Sequence, residues 1–399
     1  LMFERRSFFA VFSIISTFLT SFLASKNVKA KSLPNNFTFK DVEKRGTRGK
    51  LERLPTLDIE SGQDFLTGFR NFVTRRMYPP IKVRFDQITK ELKLKDGETL
   101  PLNELIKIVQ NEPQMMMGVR GWVSTQQFTW KQIIDYYHDH ADEYLDEMES
   151  ADKSGPGSVE LNPDLKLPEY TKHEIHIQPA GYVGDPFSGY LNYYGVNNFY
   201  GGSNYNDEVQ NAIVERVHTP EDNKVEKVLD IGCATGRLTF SLKRRFPEAE
   251  VYGLDVGGPM VRFAHTRGVD LGEDVHFVQR LAEDTKFPDN HFDLVTAYIL
   301  FHEVTSEAQD KIIAEVKRIL RPGGVFFPID FKTGKQAPLD SPYRQFFVWW
   351  DHVYNGEPWR VEYASRDFAE VIKSHGFEVD EDITAARRGM GSIKATKPA

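Results

Sequence analysis

The chain has 399 residues, a formal net charge of −8 and a pI of about 5.8. An acidic chain without a basic stripe excludes nucleic acid as its main partner, because phosphate backbones are bound through clustered Lys and Arg. The length leaves room for two domains with full cores. The single cysteine, Cys233, excludes an intrachain disulfide, which is compatible with the cytosol and does not exclude export.

Residues 1–30 have the features of a targeting segment. Glu4-Arg5-Arg6 precedes an uncharged apolar run over residues 7–24, and Val28-Lys29-Ala30 fits a small-x-Ala cleavage pattern. The order Arg5-Arg6-Ser7-Phe8-Phe9 is similar to a twin-arginine export signal. A cleaved signal peptide, a membrane anchor through residues 7–24 and an organelle transit segment are the three alternatives. We therefore expect an exported or membrane-associated protein, followed by a polar linker over residues 31–60.

Residues 61–180 are predicted to form a mainly helical domain. Phe65, Phe69, Phe72 and Val73 recur at helical spacing, and Pro79-Pro80 is expected to end this first helix. A capping-box pattern at Thr129 predicts the start of a longer helix. The predicted helices cover residues 64–77, 81–94, 102–109 and 129–148.

One face of the last predicted helix carries residue types that bind metals. Asp135, His138 and Asp142 share that face. A solvated acidic face that includes a histidine is far commoner than a metal site, which also needs a fourth group and supporting hydrogen bonds. The sequence therefore predicts no metal site.

Residues 181–205 are crowded with Tyr, Phe, Gly and Asn and show neither helical nor strand periodicity. They are predicted to form a loop without regular structure. Two roles are open for it. The loop could be a lid over a ligand pocket, offering ring faces and phenol groups, or a surface crossover whose rings pack on the two domains.

From residue 206 to 399 the pattern alternates between strand and helix. This alternation predicts an α/β fold with a doubly wound, Rossmann-like parallel sheet covered by helices on both faces. Right-handed crossovers would bring the carboxyl ends of the first, second and fourth strands to one crevice. The expected strands cover residues 228–231, 251–255, 275–278, 292–299, 324–330, 377–383 and 391–396.

The first strand of this half ends in a turn of small residues, Gly232 to Gly236. Backbone N–H groups at such a turn, before a helix, can approach a nucleotide-like ligand, and a side chain at either glycine would block that approach. Asp255 ends the second strand, where a carboxylate reaches the ribose hydroxyls of a nucleoside lying on the first turn. The turn by itself does not separate dinucleotide binding from other nucleosides.

Four motifs then occur in order: VLDIGCATG, VYGLDV, AEDTKFPDNHFDLVTAYILFHE and RILRPGGVFF. Together they resemble the class I S-adenosylmethionine-dependent methyltransferases, specifically the small-molecule type whose core is often called methyltransferase type 11. The resemblance covers about residues 225–331 and extends more loosely to the C-terminus. It implies a seven-stranded sheet, S-adenosylmethionine as cofactor and methyl transfer to a small molecule. A nicotinamide-binding domain would share only the first two motifs.

The resemblance also implies which residues hold the cofactor. The first turn would surround the methionine part, Asp255 the ribose, and the segment after the third strand the adenine. Leu281 stands where many members have an acid for the adenine amino group, so Glu283 or a backbone carbonyl is the expected replacement. The cofactor-binding residues implied are Asp230, Gly232, Ala234, Gly236, Asp255, Val256, Leu281, Ala282 and Ala297.

A sulfonium methyl is already activated, so catalysis is largely positioning, and a base is needed only for a protonated acceptor. The candidates for a chemical role are His302, Glu303 and His352. The aromatic insertion over residues 332–363 is predicted to line the acceptor site, although some of its rings must be core, and it implies an apolar or aromatic acceptor. The predicted substrate-binding residues are Tyr194, Tyr200, Tyr298, Trp350 and Tyr354.

Two alternatives to an active methyltransferase remain. A cofactor-binding but degenerate relative could act as a partner protein through the helical domain, and a nicotinamide oxidoreductase would bind NAD at the same turn. S-Adenosylmethionine is a cytosolic metabolite, so an anchor would leave the catalytic domain facing the cytosol. The oligomeric state is not predicted from the sequence.

Overall fold

A mixed β-sheet of nine strands lies at the centre of the fold. The computed structural model describes residues 46–54, 56–337, 339–380 and 390–399, all within one compact unit. A separate two-stranded hairpin, β1 and β2, precedes the first helix. The strands are β1 Thr47–Arg48, β2 Leu51–Glu52, β3 Ser158–Glu160, β4 Lys227–Ile231, β5 Glu250–Asp255, β6 His276–Gln279, β7 Phe292–Tyr298, β8 Leu320–Phe331, β9 Glu378–Asp380, β10 Met390–Ser392 and β11 Lys394–Thr396.

The described strands of the large sheet follow the order β3-β6-β5-β4-β7-β8-β11-β9, with β10 also paired to β8. Pairing is parallel from β3 to β8 and antiparallel among β8, β9, β10 and β11. β10 and β11 pair with successive stretches of β8 and act as one interrupted strand. The predicted Rossmann-like seven-stranded sheet is therefore confirmed, with β3 from the N-terminal half added at its edge.

The central strands are apolar because helices cover both of their faces. Val228, Leu229 and Ile231 of β4 and Val295 of β7 are fully buried. Strands of a parallel sheet have this composition because neither face meets water. Leu229 and Val295 pack in the core on one face, and Val228 packs in the core on the other.

The N-terminal half is helical, as the sequence predicts. A short π-helical turn, Val73–Met77, joins the first two helices. The helices are α1 Leu57–Phe72, α2 Tyr78–Glu91, α3 Leu102–Asn111, α4 Pro113–Asp139, α5 Ala141–Asp152, α6 Ser188–Phe199, α7 Glu208–Val214, α8 Arg237–Arg245, α9 Gly258–Leu271, α10 Ser306–Ile319, α11 Pro342–Tyr354, α12 Arg360–Ser365 and α13 Phe368–Ser374.

Two predicted helix boundaries are wrong. Pro79-Pro80 lies in the first turn of α2, where the missing N–H groups would have no intrahelical partner in any case, so it does not break the helical run. Thr129 lies inside α4, which begins at Pro113, and is not an N-cap. Its buried hydroxyl instead accepts a hydrogen bond from Asn198 Nδ2 at 3.0 Å. The Thr129 hydroxyl therefore takes part in a contact between helices and does not cap one.

The prediction of an irregular lid loop over residues 181–205 is wrong for residues 188–199, about half of the segment. Ser188–Phe199 forms α6, and nearly all of its residues are buried. A Cβ at Gly195 would lie 1.9 Å from Trp130 Cζ3, and one at Gly189 would lie 2.3 Å from Phe263 Cβ. Both glycines therefore allow close helix packing. A helix buried all round shows no apolar stripe, which explains the missing periodicity.

The aromatic insertion after β8 completes the core of the N-terminal half. Phe346, Trp349 and Trp350 of α11 are buried in the same core as residues of α2, α3 and α4. The rings of Trp122 and Trp350 meet edge to face, with centroids 4.5 Å apart. The core of the N-terminal half therefore includes side chains from the C-terminal half of the chain.

Arg237, the first residue of α8, links the sheet half to α6 and α7. Its side chain is 5% exposed, and its guanidinium donates to Tyr193 O at 2.8 Å and Asn204 O at 3.2 Å. It also pairs with Asp207 at 3.3 Å and lies 4.1 Å from the Tyr193 ring centroid. One buried side chain thus joins three segments next to the Gly232–Gly236 turn.

Among the helices of the described residues, none combines the length and apolar character needed to cross a bilayer. The apolar run over residues 7–24 and the first part of the predicted linker lie outside the described residues. The predicted signal or anchor and the localisation that depends on it remain predictions.

Candidate active site

The turn after β4 adopts a conformation that favours small residues. Gly232, Ala234 and Gly236 have φ values of +68°, +46° and +77°, in the left-handed region. A Cβ at Gly232 would lie 2.9 Å from Leu300 Cδ1, and one at Gly236 would lie 2.7 Å from Phe277 Cζ. Larger residues at either glycine are excluded by both the backbone and the neighbours.

Asp255 lies beside this turn, at the carboxyl end of β5. Ala234 N–H donates to its Oδ2 at 2.9 Å, and Gly257 N–H donates to its Oδ1 at 2.8 Å. The side chain is buried, and burial raises its pKa against these two hydrogen bonds. Each carboxylate oxygen keeps a second lone pair, so Asp255 can still accept two hydroxyl hydrogens.

Asp230 is placed differently, inside the sheet. Thr239 Oγ1 donates to its Oδ2 at 2.8 Å, and Thr296 Oγ1 donates to its Oδ1 at 3.0 Å. The carboxyl group therefore joins β4, α8 and β7. Burial raises its pKa to about 7, although both threonine hydrogen bonds oppose the shift.

We expect the Asp230→Asn variant to lose the pH dependence of stability that this carboxyl group causes. An acid whose folded pKa is raised binds more protons in the folded than in the unfolded state, so its contribution is present at low pH and is lost as pH rises to about 7. Between pH 5 and 8 the free energy of unfolding of the wild type should fall by about 2 to 3 kcal/mol relative to that of Asp230→Asn. Urea unfolding of both proteins across this range measures the difference, and a constant difference would contradict the prediction.

The segments after β5 and β6, together with β7, complete the edge of the sheet. Val256, Leu281 and Ala282 are half-buried, and Ala297 of β7 is fully buried. Glu283 accepts a hydrogen bond from the Tyr170 hydroxyl of the N-terminal half. All nine predicted cofactor residues lie on β4, β5 and β7 or on the segments that follow β4, β5 and β6, with Asp230 and Ala297 inside the sheet.

His302 and Glu303, two of the predicted catalytic residues, follow β7 and contact each other. His302 Nε2 lies 3.1 Å from Glu303 Oε1, and His302 Nδ1 lies 2.6 Å from Asp330 Oδ1. Burial opposes a charge on the imidazole, but the carboxylates of Asp330 and Glu303 outweigh it and hold the pKa of His302 well above its usual value. A histidine held protonated in this way is a poor base and instead positions Glu303.

Two further residues, His176 and Glu357, join this cluster, and the sequence did not point to either of them. His176 Nε2 lies 3.4 Å from Glu303 Oε1, and His176 Nδ1 lies 3.4 Å from Glu357 Oε1. His176 comes from the loop before α6, and Glu357 follows α11. His352, the third predicted catalytic residue, has its Nδ1 3.3 Å from Glu357 O and does not join the pairing of side chains.

The predicted substrate-binding residues separate into two groups. The hydroxyls of Tyr200 and Tyr298 lie 3.1 Å apart, close to the end of β7. Tyr194 is buried in the core around Trp130, and Trp350 in the core around Trp122. Tyr354 is half-buried with its ring against Trp349. Of these five residues, Tyr200 and Tyr298 are the two that meet at the end of β7.

Tyr182 joins the site from the loop that carries His176. Its carbonyl oxygen approaches Gly257 so closely that a Cβ there would lie 2.9 Å away. Burial raises the pKa of its phenol well above the usual value, and the carboxylates of Glu303 and Asp255 add to this. Tyr182 thus lies near both Asp255 and Glu303.

The helix face on which the sequence placed residue types that bind metals is open to solvent. Asp135, His138 and Asp142 of the N-terminal half are exposed, and His138 Nε2 lies 2.7 Å from Asp185 Oδ2. His138 therefore pairs with a residue outside the face.

Comparison with known proteins places the turn, Asp255 and the β7 edge in one domain family. A sequence profile of the methyltransferase domain matches residues 228–324. This stretch is similar to methyltransferase domains. The match includes the predicted cofactor residues and the His302–Glu303 pair.

Two curated relatives each match about three tenths of the chain. The ubiquinone/menaquinone biosynthesis C-methyltransferase of Psychromonas ingrahamii is 37% identical over 123 residues, covering 30% of this chain and 48% of that protein. The demethylmenaquinone methyltransferase of Thermus thermophilus is 33% identical over 122 residues, covering 31% and 54%. The chain spans about half the length of the curated relatives it matches.

A solved structure is also similar. The crystal structure of a SAM-dependent methyltransferase from Aquifex aeolicus has 21% identity and a TM-score of 0.35, covering 47% of this chain and 89% of that protein. The fold is assigned from the strand order of the sheet.

Proposed function

We propose that the chain transfers the methyl group of S-adenosylmethionine to a small molecule. The observation that carries the proposal is the Asp255 carboxylate, held by Ala234 N–H and Gly257 N–H beside the Gly232–Gly236 turn. A buried carboxylate with free lone pairs, next to a turn without side chains, is suited to a ribose and the chain attached to it.

Within this proposal the turn supports the methionine part of the cofactor and Asp255 accepts from the ribose hydroxyls. Val256, Leu281 and Ala282 edge the adenine, and Ala297 backs the pocket. The bound cofactor supplies a methyl group already activated on a sulfonium. The protein then has mainly to orient the acceptor and to exclude water.

The acceptor side is formed by residues that follow β7 and by the N-terminal half. Tyr298 and Tyr200 offer ring faces, and Tyr182, Glu303 and His176 offer polar groups close by. The curated relatives are named for quinone biosynthesis, which agrees with the predicted apolar or aromatic acceptor. We propose an aromatic acceptor with a polar group that faces Glu303.

The degenerate-relative alternative makes a different prediction for the same turn. A protein that binds neither S-adenosylmethionine nor its demethylated product would act through its surface alone. The intact set of Gly232, Gly236 and Asp255, in a conformation that excludes larger side chains, favours the enzyme.

Calorimetry with the full chain tests the proposal. We expect S-adenosylmethionine and S-adenosylhomocysteine each to bind at one site per chain. NAD is expected not to bind, because a nicotinamide-binding domain would share only the turn and Asp255 with this site and not the segment around β7. Binding of neither methyl-donor form rules the proposal out. A screen of small molecules with labelled cofactor, including hydroxylated aromatic compounds, then identifies the acceptor.

A further inference from the structure

We propose that Glu303, His176 and Glu357 form a binding site for a hard divalent cation such as Mn²⁺ or Mg²⁺, on the acceptor side of the active site. One imidazole nitrogen and one oxygen of each carboxylate lie within 4.8 Å of one another. A cation about 2.1 Å from each ligand holds its ligand atoms roughly 3 to 4 Å apart. A closure of about 1 Å therefore completes the site.

The second observation is that these acids keep oxygens without a donor. Among the described residues, no hydrogen-bond donor reaches Oε2 of Glu303 or Oε2 of Glu357. The two side chains are only 10% and 4% exposed. A buried carboxylate oxygen without a partner is costly, and a bound cation removes that cost.

A neighbouring amide supplies a further oxygen. Asn355 is buried, its Nδ2 donates to Glu357 Oε1, and its Oδ1 has no partner within the described part of the chain. Carboxylate and amide oxygens favour Mg²⁺ and Mn²⁺, while one imidazole is also accepted by Mn²⁺. The ligand chemistry therefore makes Mn²⁺ the suitable probe.

The cationic side chains nearby do not replace a metal. His302 is bound to Asp330 at 2.6 Å through Nδ1, and its Nε2 faces Glu303 Oε1 rather than Oε2. Arg360 Nε lies 3.6 Å from Asp351 Oδ2, and neither its Nε nor its Nη1 has a hydrogen bond in the described structure. Both cations leave the second oxygens of Glu303 and Glu357 unpaired.

Three distant segments are held together to form this cluster. His176 and Ile177 have φ values of +53° and +50°, a conformation that costs a β-branched residue energy. Gly356, at φ +70°, lies so close to this loop that a Cβ would be 2.6 Å from Glu174 O. The close approach of the two backbones brings Glu357 to His176. The strain is therefore maintained where the ligands converge.

Titration of the chelator-treated full chain with Mn²⁺ tests the site, followed by calorimetry and by the electron paramagnetic resonance signal of free Mn²⁺. We expect one Mn²⁺ per chain, about tenfold to 100-fold weaker binding in Glu357→Gln and Glu303→Gln, and unchanged binding in His138→Gln. His138→Gln is the matched control, because it removes a histidine paired with an acid outside the cluster.

Three results would overturn the proposal: no saturable binding, equal binding in the Glu357→Gln variant, or equal loss in the His138→Gln variant. Circular dichroism checks that each variant is folded. Should Glu357→Gln fail to fold, Gly356→Ala is the second variant, and it is expected to weaken Mn²⁺ binding by separating Glu357 from His176. S-Adenosylmethionine binding is measured with chelator present, so failure of the metal site leaves the proposed function standing.

Discussion

Replacing Asp255 by alanine is expected to weaken S-adenosylmethionine binding by at least about 100-fold. The variant loses the acceptor for two ribose hydroxyls, and each hydrogen bond to a charged group contributes about 1.5 to 3 kcal/mol. It also leaves Ala234 N–H and Gly257 N–H without their acceptor, which loosens the turn. Calorimetry at constant pH measures the loss.

Glu248→Ala is the matched control, because Glu248 is an exposed acid just before the opposite end of β5. It should bind the cofactor like the wild type. Asp255→Asn, which keeps the shape and one oxygen, should fall between the wild type and Asp255→Ala. If Asp255→Ala is folded and binds with unchanged affinity, the ribose role of Asp255 is wrong.

Replacing Arg237 by methionine is expected to destabilise the protein by about 3 to 5 kcal/mol, the loss typical when one partner of a buried charged pair is removed. Among the described residues, Asp207 would keep Arg244, at 3.3 Å, and Lys50, at 3.9 Å, as cationic partners. The carbonyls of Tyr193 and Asn204 would lose their buried donor. Urea unfolding monitored by tryptophan fluorescence measures the change.

Arg120→Met is the control for this effect, since Arg120 lies on the exposed face of α4. Its free energy of unfolding should stay within about 0.5 kcal/mol of the wild type. A similar loss in both variants would show that the buried position of Arg237 has no special part in stability.

The sheet and its cofactor edge could be predicted because short-range sequence signals encode them. Each central strand is a run of apolar residues, and the turn after β4 needs glycine for its φ values. Asp255 could be found because parallel strands end at one edge, so an acid at the end of β5 must lie near the end of β4. Periodicity and topology together place these residues without knowledge of side-chain packing.

The acceptor side could be predicted only in part, because contacts between distant segments complete it. His176 and Glu357 belong to no motif, and they meet only because Gly356 allows two loops to touch. α6 has no apolar stripe since it is buried on every side. The aromatic residues of α11 do have helical spacing, but spacing does not show that they pack against α2 and α4 rather than around a ligand.

The position of α11 has a consequence for synthesis of the chain. Phe346, Trp349 and Trp350 complete a core whose other members lie mainly on α2, α3 and α4. The last of these helices ends at Asp139. About 200 residues must still be made before these rings emerge, which takes roughly 10 to 40 s at elongation rates of about 5 to 20 residues per second. During that interval the apolar surface that these rings cover in the folded protein lacks its partner, so aggregation is expected to compete with folding of the N-terminal half.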